Sequence, residues 1–240
     1  MPASTPRLTP LLTAALLVAA LPACSLLEPT SDPTEFYVLE NFTGENAPPK
    51  LTSNSNLAVQ IGPAAIPGYL DRNPIVTFKP GNVLSVPEFH LWGEPVQGAI
   101  TRVLADNVSH LIDSPNVVPF PQVSLSNYDY RVSLVIRHFE KNSSGQVLLD
   151  SNYTIEGKPA SGIDSASFSR TITIPLAAVD PEAPLTDEYT AIAEAMSKAL
   201  GELSSSIARN LLNKYRLDLR KKQEAAAPPA SDSSIAPDSL

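Results

Sequence analysis

Alternation of apolar and polar residues dominates the chain between residues 130 and 174. Tyr130, Val132, Leu134 and Ile136 occupy every second position, and Arg131, Ser133 and Arg137 lie at alternate positions. A period of two places such side chains on one face of a β-strand. A turn sequence at residues 142–145 leads to a second strand, residues 147–155, and residues 167–174 form a third. Three consecutive strands on short turns predict an antiparallel meander.

Two segments carry apolar residues at helical spacing instead. The first begins near Glu94 and Pro95 and ends at residues 113–116, and the second follows Pro184. A spacing of three and four puts the apolar positions on one side of a helix, which must be buried. These positions are Val96, Ile100, Val103, Leu104, Val108, Leu111 and Ile112 in the first helix, and Ile192, Met196, Ala199, Leu200, Leu203, Ile207, Leu211 and Tyr215 in the second. The sequence predicts a single α+β domain, a mainly antiparallel sheet with two helices packed on one face.

Shorter apolar runs at residues 36–39, 57–61, 75–78 and 83–86 predict additional strands. Between the second and third of these runs, residues 61–76 contain three prolines and two glycines. Proline presets φ and glycine permits positive φ, so this composition predicts a stiff, irregular loop, with Gly62 and Pro63 ending the strand before it. A proline-interrupted apolar stretch at residues 117–125 is typical of an edge strand.

The N-terminus has the three parts of a secretory signal: a positive end with Arg7, an apolar run at residues 11–21, and a small residue, Ala23, at the cleavage point. The apolar run is too short to span a bilayer comfortably. Cys24, the only cysteine of the chain, follows at once. A signal that ends directly before Cys, with Leu21 three residues ahead, resembles the bacterial lipoprotein box, in which that cysteine is acylated. The alternative is an ordinary signal peptide followed by an unpaired thiol.

The predicted organisation is therefore a lipoprotein signal peptide (residues 1–23), a lipidated tether (24–34), the α+β domain (35–223) and a disordered C-terminal tail (224–240), whose composition is poor in residues that could be buried. The formal net charge of −8 argues against a nucleic-acid partner. With one cysteine, the chain has neither a disulfide nor a thiolate metal site.

Signatures of catalysis are absent from the sequence. There is no Gly-x-Ser-x-Gly, no His-Glu-x-x-His and no glycine-rich phosphate loop followed by Lys-Ser or Lys-Thr. His90, His110 and His138 lie in different predicted elements. We therefore expect a protein that is not an enzyme, with no catalytic residue, no metal and no cofactor.

Several short motifs occur together in order: Gly62-Pro63, Ile66-Pro67, Tyr69-Leu70-Asp71-Arg72, Ile75-Val76, and Trp92 before Glu94-Pro95. In this order and spacing the sequence resembles the ABC-type transport auxiliary lipoprotein family typified by PqiC. The lipobox, the early Phe36-Tyr37-Val38-Leu39 and the helix around Leu200-Gly201-Glu202-Leu203 extend the resemblance over most of residues 24–215.

The resemblance implies a membrane-anchored, non-catalytic docking subunit of an MCE-type lipid transport system, with an MCE-type membrane protein as partner. It also implies a homo-oligomer, and attachment to the periplasmic side of the outer membrane of a Gram-negative bacterium through acylated Cys24. Ser25 agrees with that location, since Asp after the cysteine favours inner-membrane retention in similar lipoproteins. Two alternatives stay open: a carrier that binds a lipid or hydrophobic ligand in its own cavity, and an envelope enzyme.

The candidate contact surface is the loop with Tyr69, Leu70, Asp71 and Arg72, together with Trp92. Tyrosine and tryptophan dominate binding hot spots, and a stiff loop loses little freedom on binding. The competing interpretation places the apolar side chains in the core and makes the two charged residues a local ion pair that holds the loop.

Overall fold

The computed structural model describes residues 33–42, 47–53, 55–157, 164–176 and 184–226. The predicted signal peptide, Cys24 and residues 227–240 of the predicted tail lie outside these ranges. In chain order, the elements of the described residues are β1 (Glu35–Tyr37), β2 (Val59–Ala65), β3 (Thr77–Lys79), β4 (Val83–Ser85), β5 (His90–Trp92), α1 (Val96–Ile112), β6 (Val117–Pro119), β7 (Tyr130–Lys141), β8 (Gln146–Gly157), β9 (Ser165–Pro175) and α2 (Leu185–Ala226).

Among the described residues, seven strands form the main sheet, with β7 near its centre. β7, β8 and β9 are consecutive antiparallel neighbours, so the predicted meander is confirmed. The turn between β7 and β8 is closed by Asn142, whose side-chain oxygen accepts hydrogen bonds from the backbone N–H groups of Ser144 and Gln146 at 2.9 and 3.1 Å. Alternation is confirmed as well, because Tyr130, Val132, Leu134 and Ile136 are all buried.

Parallel pairing on the other side of β7 is a feature that the sequence did not predict. β2 lies between β7 and β6 and is parallel to both. A strand that follows a crossover helix returns parallel to its starting strand, and α1 is that helix between β2 and β6. β6 ends the sheet on this side, as its prolines predicted. The runs at residues 75–78 and 83–86 form the antiparallel pair β3–β4, which continues the sheet beside the end of β7.

The predicted end of a strand at Gly62 and Pro63 is wrong. β2 continues to Ala65, and its register against β7 shifts between Ile61 and Ala64. Such an irregularity absorbs a proline in a strand, since the missing N–H falls where no ladder bond is made. The irregular loop is thus shorter than predicted and comprises residues 66–76.

Both helices pack on the same side of the main sheet, which confirms the predicted fold class. α1 contacts β2 and β6, α2 contacts β8 and β9, and the helices contact each other. Asp113, in the left-handed conformation, caps α1, where the sequence predicted its end. α2 runs to Ala226, past the predicted start of the tail at residue 224, because glutamate and alanine are good helix formers.

A second, two-stranded sheet joins β1 to β5 in parallel. Its inner face packs on the start of α2, where the His90 and Tyr189 rings stack with their centroids 4.2 Å apart. The Tyr37 hydroxyl lies 3.0 Å from His90 Nδ1. This small sheet lies next to the irregular loop and fixes its far end.

Candidate functional site

Residues 66–76, called the contact loop here, have a path set by backbone hydrogen bonds. The N–H of Leu70 donates to the Pro67 carbonyl at 2.9 Å. Farther along, the N–H of Trp92 donates to the Asn73 carbonyl at 2.7 Å, and the N–H of Ile75 to the His90 carbonyl at 3.0 Å. The loop is therefore tied to β5 at one end and continues β2 at the other.

Leu70 and Trp92 are core residues. Their exposed fractions are 6% and 7%, and both belong to the main apolar cluster of the domain. Trp92 lies at the end of β5, just before α1 begins. These two side chains support the contact loop from beneath, as the competing interpretation of the sequence described.

Tyr69 occupies an intermediate position. Its ring packs edge-on against Phe78, with centroids 5.6 Å apart, and contacts the apolar core. Its hydroxyl donates a hydrogen bond to Glu140 Oε2 at 2.9 Å. Burial, followed by the negative charge of Glu140, raises the pKa of the Tyr69 phenol well above its usual range, so the phenol stays a donor at physiological pH.

Glu140 is the neighbour of the contact loop that sequence reasoning missed. Only 1% of it is exposed, and it accepts a hydrogen bond from the Phe139 N–H at 2.7 Å in addition to the one from Tyr69. Its other oxygen lies 2.9 Å from His138 Nδ1. Glu140 lies an even number of residues after Tyr130, as do most of the buried residues of β7, and this spacing is the sequence feature that could have indicated a buried carboxylate. However, the register shift after Ile136 cannot be deduced from the pattern, and it decides which of residues 138–140 are buried.

Asp71 and Arg72 are exposed at the tip of the contact loop. Neither side chain has an ion pair or hydrogen bond to any residue that the structure describes, so the local pair considered from the sequence is not formed. Two charges of opposite sign are thus presented on a backbone that is already held. Such an arrangement can orient a partner at the rim of a contact.

Removing the Tyr69 hydroxyl tests how firmly the loop is attached. Tyr69→Phe removes one of the hydrogen-bond donors to the buried Glu140 carboxylate, and we expect a loss of about 1–3 kcal/mol in the free energy of unfolding. Tyr128→Phe is the matched control, because its hydroxyl has no hydrogen bond to the described residues. Chemical denaturation of both variants gives the comparison. Equal stabilities would show that the Tyr69–Glu140 bond does not hold the loop.

The three histidines lie apart and each has a structural contact. His90 is buried between Tyr37 and Tyr189, and His110 Nε2 lies 2.8 Å from the Pro48 carbonyl oxygen. His138 borders Glu140. In the described ranges, no group of three or more histidine, cysteine or acidic residues is placed to hold a metal ion. The described helices also include none that is both long and apolar enough to cross a membrane.

A groove of about 680 Å³ runs along α2. Its wall includes four charged residues and a few apolar ones such as Phe42 and Pro48. The charged residues are Glu40, Glu194, Lys198 and Glu202. The groove is therefore lined by charged and apolar side chains together, and it is open to solvent along its length.

Comparison with known proteins identifies a family and a fold. A family model described as "ABC-type transport auxiliary lipoprotein component" matches residues 37–208. A crystal structure of a Xanthomonas campestris protein of family DUF330 is 14% identical to this chain, with a TM-score of 0.61, and the match covers 78% of this chain and 99% of that one. The crystal structure of an uncharacterized protein is 15% identical, with a TM-score of 0.57 and coverage of 74% and 98%. At these identities the structures show a common fold. No curated protein matches the chain.

Proposed function

The chain belongs to the family of ABC-type transport auxiliary lipoprotein components, and from this premise we propose that it is a non-catalytic docking subunit of an MCE-type lipid transport system. The family as a whole associates with ABC-type transport systems. The proposal adds the type of partner and the surface that meets it. It also assigns ATP hydrolysis to another subunit, since this chain has no phosphate-binding loop motif.

The observation that carries the docking role is the unpaired charge of Asp71 and Arg72 on a fixed loop. The backbone of the contact loop is hydrogen-bonded to β5, and Tyr69 attaches it to the buried Glu140. A surface that is ordered before binding loses little conformational freedom on association. The two charges give orientation, while the exposed flank of Tyr69 supplies apolar area.

Cys24 is the proposed attachment to the membrane. In this proposal its acyl chains hold the protein in the inner leaflet of the outer membrane, and Ser25 directs it there. More than one chain is needed for stable anchoring, at about 0.8 kcal/mol per buried methylene. The domain then faces the periplasm, where an MCE-type protein of the inner membrane can reach it. Self-association into a homo-oligomer stays a prediction.

Neutralising the loop tip tests the docking surface. Asp71→Ala combined with Arg72→Ala should reduce capture of the partner by about tenfold or more, while the melting temperature stays unchanged because neither side chain supports the fold. The control combines Arg216→Ala with Glu224→Ala, an exposed pair of opposite charges on α2 that leaves the net charge equally unchanged. Co-purification of the acylated chain with the inner-membrane MCE-type protein is the measurement. Equal capture by both variants would contradict the docking surface.

The carrier and the enzyme find less support in the described residues. The groove along α2 is open and carries three glutamates and a lysine in its wall, whereas a carrier site encloses most of its ligand. The single pair of histidine and carboxylate at the loop, His138 with Glu140, has its carboxylate buried beneath Tyr69. A docking role uses the exposed part of this site and requires no cavity.

A further inference from the structure

The two faces of the small sheet formed by β1 and β5 differ sharply. On the inner face, Tyr37 and Trp92 are register partners and both are buried, and His90 is buried beside them. On the outer face, Phe36 is the register partner of Leu91. Because side chains alternate along a strand, Val38 and Phe89 belong to this outer face as well.

The outer face, called the apolar face here, consists of Phe36, Val38, Phe89 and Leu91. Their exposed fractions are 66% for Phe36, 52% for Val38 and 40% for Phe89, while Leu91 is half-buried. Of the seven phenylalanines of the chain, two are exposed, and both lie on this face. Contiguous exposed apolar side chains of this size mark a contact with another surface.

The apolar face carries no charge of its own. The acidic residues of the same segments, Glu35 and Glu88, occupy the alternate positions. Glu35 lies on the side of Tyr37, where burial, followed by the charge of Glu35, raises the pKa of the Tyr37 phenol. A contact made by this face is therefore hydrophobic. It needs no anionic or basic group on the other surface.

The position of the apolar face in the chain indicates which surface it contacts. Phe36 comes twelve residues after Cys24, so even a fully extended chain places it within roughly 40 Å of the acylated cysteine. The anchor keeps β1, the first strand of the described residues, at high effective concentration beside the bilayer. In such a position, a few apolar side chains are sufficient to hold a protein surface at the headgroup region.

A second protein surface is a poorer match for a face of this size. Stable protein interfaces bury about 800 Å² on each partner, with some 20–30 residues a side, and the apolar face has four side chains. A tethered bilayer contact has no such minimum, because the acyl chains already hold the two surfaces together.

We propose that the apolar face lies on the bilayer in which Cys24 is anchored and sets the orientation of the domain on the membrane. The inference rests on the acyl anchor of the proposed function. It gives the domain a second, weaker membrane contact that is independent of anionic lipid. It also leaves the tip of the contact loop, on the other border of β5, available to the transport partner.

The test uses the full acylated chain in vesicles of zwitterionic phosphatidylcholine. Acylation consumes the only native cysteine, so Val38→Cys provides a single free thiol for an environment-sensitive dye. The matched control is Val135→Cys, because Val135 is 53% exposed, against 52% for Val38, and lies on the main sheet. We expect iodide to quench the dye of the Val38→Cys variant at least fivefold less than that of the control, at every protein-to-lipid ratio and with unchanged values when anionic lipid is added.

The other outcomes separate the possible errors. Equal quenching in protein that floats with the vesicles would overturn the bilayer contact and leave the anchor intact. Protection that appears only at high protein density would show that a second copy covers the apolar face, and the proposal would fail. Protein that does not float with the vesicles would contradict the acyl anchor, and the bilayer contact that rests on it would fail as well.

Discussion

Replacing Gly62 by alanine is expected to destabilise the domain by about 3 kcal/mol or more. A Cβ at this position would lie 2.0 Å from the carbonyl oxygen of Phe120, far inside van der Waals contact. The backbone of Gly62 also has φ near +122°, a conformation that side chains rarely adopt. Because β2 and the chain after β6 are both fixed at this point, by the hydrogen bond from the Phe120 N–H to the Ile61 carbonyl, neither can move without breaking it.

Two other glycines separate the causes of this effect. Gly81 has φ near +83° and no atom within 4 Å of its Cβ position, so Gly81→Ala measures the backbone cost alone, about 1 kcal/mol. Gly68 also has open space and no positive φ, and Gly68→Ala should change stability by less than about 1 kcal/mol. Urea unfolding of the three variants gives the comparison. A loss in Gly62→Ala no larger than in Gly81→Ala would show that the close approach to Phe120 is not a constraint.

Replacing Cys24 by serine is expected to abolish acylation completely. The hydroxyl of serine does not take the place of the thiol in a lipobox, so the signal stays uncleaved at this site and no acyl chain is added. Metabolic labelling with palmitate in a Gram-negative host, followed by membrane fractionation, measures both effects. With the signal uncleaved and the acyl chains absent, the protein should be lost from the outer-membrane fraction.

Ser25→Asp is the matched control for this experiment. It preserves the thiol, so labelling should persist, while the acidic residue after the cysteine should shift the protein from the outer-membrane fraction to the inner-membrane fraction. Palmitate labelling that survives in Cys24→Ser would contradict the lipid anchor. Labelled Ser25→Asp protein in the outer-membrane fraction would contradict only the proposed location.

The candidate site could be predicted only in part, because the residues that form it lie far apart in the sequence. The tyrosine of the contact loop and the glutamate that holds it are 71 positions apart, and no local pattern links Tyr69 to Glu140. The motif that contains Tyr69, Leu70, Asp71 and Arg72 is visible in the sequence as a distinctive stretch. However, the division of its side chains between the core and the surface depends on what lies beneath the loop.

The sequence by itself determined the elements whose pattern is local: the meander from β7 to β9, the two amphipathic helices, the end of α1 and the edge position of β6. Periodicity, caps and prolines act within a few residues, so they can be recognised without a partner. Only the tertiary structure decided the parallel pairing of β2, the register shift in β7, and the burial of Leu70, Trp92 and Glu140. These features depend on contacts between segments distant in sequence, where a strand pattern shows which face is buried but not which neighbour buries it.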